Sequence, residues 1–170
     1  KSETLIENTH EFSIHTETQQ NYLNDDYMFI SLYTRANQEL SRPNPVSLSW
    51  DEEYAGGYKV LLSENEDFSS YVTYETDVKS IDIYNLKIDT SYYYKITSKD
   101  ESLFTDVDYF KVIDKEIRNL YVDGITNVRD IGGVSLSNEK KLKQGMIYRS
   151  SRLNENESSE VLITPNGIDT

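Results

Sequence analysis

The 170-residue chain has no cysteine, which excludes disulfides, thiolate metal ligands and cysteine nucleophiles within these residues. It has no apolar run near the roughly 18 residues that a membrane-spanning helix needs. Basic residues are scarce: 17 Lys and Arg stand against 30 Asp and Glu, a formal charge of −13. Duplex nucleic acid and anionic membranes are therefore poor partners, because binding them depends on clustered positive charge. No metal cluster or cofactor motif is present, so none is expected. Asp25-Asp26 and Glu64-Asn65-Glu66-Asp67 lack the spacing of an EF-hand calcium loop. The only two histidines, His10 and His15, sit in no catalytic pattern and are expected at the surface. Lys1 begins no secretory signal, although a trimmed precursor would have lost one.

What is present is unevenly spread. Residues 118–170 hold seven Lys/Arg and seven Asp/Glu, so residues 1–117 hold the remaining ten and 23 and carry the whole negative charge. Twelve of the 14 tyrosines but only two of the seven glycines precede residue 118. Two such different stretches predict two units, 1–117 and 118–170.

The first stretch reads as strands. Tyr27 to Tyr33 is β-rich. Val46, Leu48 and Trp50 alternate with Ser47 and Ser49, the period-2 pattern of a half-buried strand. Gly56-Gly57 marks a turn. Tyr58 to Leu62, Tyr71 to Thr76, Ser80 to Tyr84, Tyr92 to Thr97 and Tyr109 to Ile113 follow as short β-prone runs. Phe12, Ile14 and His15 open an extra edge strand or belong to a tail. No stretch before residue 118 shows a helical period. The pattern predicts a mainly β protein with an antiparallel sandwich, not βαβ units.

Two segments resemble the fibronectin type III family. Pro45-Val46-Ser47-Leu48-Ser49-Trp50 is similar to its second strand, whose Trp lies between the sheets. Leu86 to Tyr92 is similar to its Leu-x5-Tyr segment, in which the Tyr hydroxyl returns to an upstream backbone group. The resemblance covers roughly residues 25–113. It implies a module for adhesion, spacing or docking, with a protein or surface ligand, and an extracellular or cell-surface setting, while leaving the cytoplasm open. Tyr92 and Tyr94 should face the core and Tyr93 the outside.

The second stretch carries Asn127-Val128-Arg129-Asp130-Ile131-Gly132-Gly133. Some ten residues on comes Lys143-Gln144-Gly145-Met146-Ile147-Tyr148-Arg149-Ser150-Ser151. Gly132-Gly133 lets the backbone take positive φ or approach a neighbour closely. Ser137 to Lys140 supplies a turn, and Met146-Ile147-Tyr148 returns as a strand. Arg129 and Arg149 flank apolar residues, and a buried guanidinium needs an anion. Asp130 is the local candidate, so an Arg–Asp network fixing the hairpin is favoured over direct contact with a phosphate.

The two segments in this order resemble the opening of one branch of the cysteine-dependent tyrosine phosphatases, with Val128 for the usual aromatic and Ile131 for the usual Leu. The resemblance implies the first hairpin of an α/β phosphatase domain, a phosphorylated protein or phosphoinositide as substrate, and, in combination with the first module, a bacterial source. It also implies a thiolate in a His-Cys-x5-Arg loop at a helix N-terminus and an Asp general acid. None of that loop is in this sequence, so no catalytic residue carries over. Asn127, Arg129, Asp130, Gly132, Gly133, Arg149 and Ser150 are expected to shape the surroundings of such a site. Thr164-Pro165 opens like a helix, and the catalytic loop would lie beyond Thr170. Residues 118–170 are expected to depend on other parts of the protein for burial. The alternative is a cell-surface binding module with a non-catalytic phosphatase-like tail.

Overall fold

The computed structural model describes residues 10–24, 42–123, 125–136 and 140–150, the side chain of Tyr22 apart. The β-rich run at 27–33 and the helix opening at Thr164 lie outside the described residues. The fold is mainly β, of the sandwich class, with one short helix among the described residues. No helix among the described residues is long and apolar enough to cross a membrane.

The chain divides into two compact units. The first comprises Lys1–Phe12, Val46–Ile83 and Asp89–Ile113; the second comprises Ser13–Pro45, Tyr84–Ile88 and Asp114–Thr170.

In the first unit, β1 (Glu11–Phe12), β3 (Tyr58–Ser63), β4 (Val72–Thr76), β6 (Thr90–Ser98) and β7 (Asp108–Val112) form a five-stranded sheet in the order β1-β7-β6-β3-β4. β2 (Val46–Ser49) and β5 (Ser80–Ile83) form a second, two-stranded sheet. The pairs β3–β4, β3–β6, β6–β7 and β2–β5 are antiparallel, whereas β1 joins β7 in parallel. Phe12 thus opens an edge strand, and each β-prone run predicted among the described residues forms a strand.

Alternation explains why. On β2, Val46 and Leu48 are buried while Ser47 and Ser49 are exposed, so one face is committed to the core. β3 lies between two partners and buries Val60, Leu61 and Leu62 in succession, the signature of a strand covered on both faces. At the centre, Phe110 stacks on Tyr92 with centroids 5.4 Å apart and meets Phe12 edge-on at 5.5 Å. Tyr92 is buried, Tyr93 and Tyr94 half-buried. Trp50 is also half-buried, packed edge-on against Tyr58 at 5.3 Å, so it closes the core's margin and does not fill its middle.

In the second unit, β8 (Arg118–Asn119), β9 (Arg129–Asp130) and β10 (Tyr148–Arg149) make a three-stranded antiparallel sheet with β9 central. Leu120, Val122, Ile125 and Val128 form a small apolar cluster in the β8–β9 hairpin.

Two expectations are corrected here. A helix, α1 (Glu17–Asn24), precedes residue 118. Its sequence, Glu-Thr-Gln-Gln-Asn-Tyr-Leu-Asn, is too polar to show a 3.6-residue apolar period. Its start is nevertheless written at Thr16: the Gln19 N–H donates to Thr16 Oγ1 (3.1 Å) and the Thr16 N–H donates to Gln19 Oε1 (3.2 Å), a capping box. His15, expected at the surface, is only 3% exposed. Its Nδ1 lies 3.3 Å from Asp114 Oδ1 and its Nε2 3.2 Å from the Ile117 carbonyl. Asp114 also accepts from Ser13 Oγ (2.6 Å) and the Ile14 N–H (2.7 Å). One carboxylate, a hundred residues away, draws the whole segment inward.

Candidate functional site

Among the described residues of the second unit, a polar cluster centres on Asp130. Its side chain is fully buried, and four donors converge on it. Arg118 gives Nε (3.1 Å) and Nη2 (2.8 Å) to Oδ2, the Gly145 N–H gives 2.7 Å to the same oxygen, and the Gly132 N–H gives 2.9 Å to Oδ1. Arg118, 4% exposed, places its remaining Nη1 on the Asn85 carbonyl at 2.5 Å. A buried ion pair of this kind is tolerated only when its other hydrogen-bonding capacity is filled, and here both partners are served.

The register explains why these side chains meet. Arg118, Asp130 and Tyr148 are cross-strand neighbours, as are Asn119, Arg129 and Arg149. Because successive residues of a strand point to opposite faces, the Arg118–Asp130 pair takes one face and the Arg129–Arg149 pair the other. Arg129 is half-buried and Arg149 exposed. Two cations directly opposite each other cost stability unless an anion lies near.

The two glycines divide the work between them. A Cβ on Gly132 would stand 2.5 Å from Gln144 Cα and 2.5 Å from the Lys143 carbonyl oxygen, so this position is set by close approach of the returning chain. Gly133 has φ of +87°, and a Cβ there would meet Ile88 Cδ1 at 2.8 Å. Asn127 also has positive φ, +54°, a conformation that Asn tolerates better than most residues. Ser150 is exposed at the end of β10.

Two side-chain amides tie the segment 84–88 to this hairpin. Asn85 accepts from the Tyr121 N–H (2.7 Å) and donates Nδ2 to the Tyr121 carbonyl (2.9 Å). Gln144 does the same to Ile88, accepting at 2.9 Å and donating at 2.9 Å. Each amide replaces one rung of a β-ladder.

The structure therefore brings Asp130, Gly132 and Gly133 together and sets Arg129 and Arg149 side by side on the opposite face, with Ser150 exposed just past β10. Asp130's guanidinium partner is Arg118, not a neighbour from its own motif. Arg118, Asn85 and Gln144 were not singled out from sequence. Only Gln144 had a local signal, its position directly before Gly145 in the second segment. Among the described residues there is no group of His, Cys, Asp and Glu that could hold a metal.

Hairpin, positive-φ Asn and paired glycines define a structured Asn-x-Arg-Asp-Ile-Gly-Gly element. Residues 120–168 match the tyrosine phosphatase family. Comparison with curated proteins gave no match. Comparison with solved structures gave none either.

Proposed function

We propose that the chain joins an accessory, fibronectin type III-like sandwich to the opening part of a tyrosine-phosphatase-type catalytic domain, and that these 170 residues are themselves inactive. The observation that carries this reading is the coincidence of the family match at 120–168 with the Asp130-centred hairpin. The hairpin's job on this reading is structural: Arg118, Asp130 and Gly132 fix a rigid edge on which a catalytic sheet is built. Leu136, Met146 and Ile147, at 44%, 65% and 53% exposure, are apolar surface that such a sheet would cover. Arg129 and Arg149 lie on one face, where they would border an anionic substrate. The sandwich reading is supported by the buried Tyr92 and by the division into a five-stranded and a two-stranded sheet.

The substrate class is a phosphorylated protein or phosphoinositide, hydrolysed through a phospho-cysteine intermediate. The chain holds no cysteine, so that step needs residues outside it. The test has two parts. The 170-residue chain should not hydrolyse p-nitrophenyl phosphate, and the reading frame past Thr170 should encode a His-Cys-x5-Arg loop whose product dephosphorylates a phosphotyrosine peptide. Turnover by the cysteine-free chain, or a longer frame without the loop, would sink the proposal.

A further inference from the structure

The sandwich unit has a groove that the phosphatase reading does not use. Two cavities of about 730 and 470 Å³ adjoin, sharing Ser49, Tyr94 and Asp108 in their walls. Glu11 and Asp108 border the first, and Asp51, Glu52 and Asp106 extend the acidic wall along the second. Among the described residues no lysine or arginine lines either cavity. Four of the unit's lysines pair elsewhere, in Lys59–Glu101, Lys79–Glu53, Lys99–Asp77 and Lys111–Asp89, and Lys95 lies over the Phe68 and Phe104 rings. Among the described residues, Glu11, Asp51, Glu52 and Asp106 enter no ion pair.

Aromatic rings form the rest of the walls. His10 stacks on Tyr109 with centroids 4.9 Å apart. The Tyr94 hydroxyl donates to Asp108 Oδ2 at 3.0 Å. Burial first, then this bond, pushes the Tyr94 phenol up to about 12, so it remains a neutral donor. Trp50 lines the second cavity, and its Nε1, shielded from solvent, has no hydrogen-bond acceptor among the described residues.

Unpaired carboxylates beside exposed ring faces suit one kind of group: a cation at the end of an apolar stem. An Arg or Lys side chain lays its stem along aromatic surface and presents its head to carboxylates and π-faces. A neutral glycan would use the rings but leave the negative charges uncompensated, and nucleic acid would be repelled. β2, which supplies Ser47, Leu48 and Ser49 to the wall, pairs among the described residues with β5 alone. Among the described residues no strand occupies its other backbone edge, the kind of edge that an extended segment joins.

We propose that this groove is a docking site for an extended peptide segment bearing Arg or Lys side chains. The chain carries its own reporter, because Trp50 is the single tryptophan. The full 170-residue chain is titrated with a blocked hexapeptide alternating arginine and valine, read by Trp50 fluorescence and by calorimetry. Saturable binding is expected, weakening severalfold as salt rises from about 0.05 to about 0.3 M. The double variant Glu52→Gln/Asp106→Asn, both sites exposed, should weaken it about three- to tenfold with an unchanged far-UV circular dichroism spectrum. Should that variant misfold, Asp51→Asn/Asp106→Asn replaces it. A glutamate–valine hexapeptide and a neutral β-glucan hexasaccharide should not compete. No saturable heat or fluorescence change with the basic peptide, equal binding of either control, or indifference to the charge-neutralising variants would each overturn the proposal.

Discussion

Asp130→Ala is the most informative single change in the second unit. It removes the acceptor of four hydrogen bonds from a side chain with no exposed surface. Arg118 stays 4% exposed, now with one neutral partner, the Asn85 carbonyl. Breaking a buried pair by deleting one member costs about 3–5 kcal/mol, chiefly because the surviving charge is stranded. The N–H groups of Gly132 and Gly145 lose their acceptor too, at roughly 1–3 kcal/mol each if water cannot reach them. Gly145 is exposed and recovers most of its loss from solvent, and the terms overlap. The expected total is thus about 4–6 kcal/mol, enough to melt the β8–β10 sheet.

The assay is urea unfolding followed by amide exchange, read separately at residues of β8–β10 and of β3 and β6. Loss of protection in the former with protection retained in the latter is the expected result. Arg118→Met combined with Asp130→Leu should recover a good part of the loss, since an apolar pair of similar size strands no charge. A cost below about 1 kcal/mol for Asp130→Ala, typical of an exposed ion pair, would refute the claim that this carboxylate organises the hairpin.

Three further outcomes are expected. Gly132→Ala should cost at least the upper end of the roughly 1–3 kcal/mol for overpacking, because its Cβ meets backbone; Gly56→Ala, where φ is +85° with no atom within 4 Å, should cost only about 1–2 kcal/mol of conformational strain, and equal melting shifts would contradict the geometry. The raised Tyr94 phenol binds its proton more tightly in the folded state than unfolded, so its contribution to stability is complete below about pH 10 and lost as pH rises through about 12. The difference in 295 nm absorbance between the wild type and Tyr94→Phe should therefore show one tyrosine titrating near pH 12, and a step near pH 10 would count against its burial and the Asp108 bond together. Asp114→Ala should destabilise the second unit by about 1–3 kcal/mol in thermal melts, through the stranded Ile14 N–H and His15 ring; an unchanged melt would show that water serves those donors.

The strands were legible because their signal is local. Val46 and Leu48 alternate with serines and burial follows the alternation, while the apolar run Val60-Leu61-Leu62 is buried throughout. The hairpin of the second unit was legible for the same reason, through its glycines and the spacing between its two segments. What escaped was either polar or distant. α1 has no apolar stripe, and the Thr16–Gln19 box that begins it is easily passed over in a polar run. His15 was misplaced because its partners, Asp114 and Ile117, lie about a hundred residues along the chain. Arg118 is only twelve residues from Asp130, but the register that makes them neighbours exists only once β8 and β9 pair. Neighbouring Arg129 looked nearer in sequence, yet on a strand the adjacent residue points to the opposite face.

The two amide clamps have a consequence for how this protein can be taken apart. Asn85 and Ile88 belong to the second unit, although they sit between two strands of the first. A gene fragment beginning at Arg118 would encode the whole β8–β10 sheet and still omit the acceptor of the Arg118 Nη1 bond and both backbone partners of Gln144. The phosphatase-like segment is consequently not a portable cassette: recombination or truncation at the compositional boundary would transplant the motif without the loop that holds its shape. A graft would have to carry residues 84–88 with it, and the strands on either side of that loop would have to travel too.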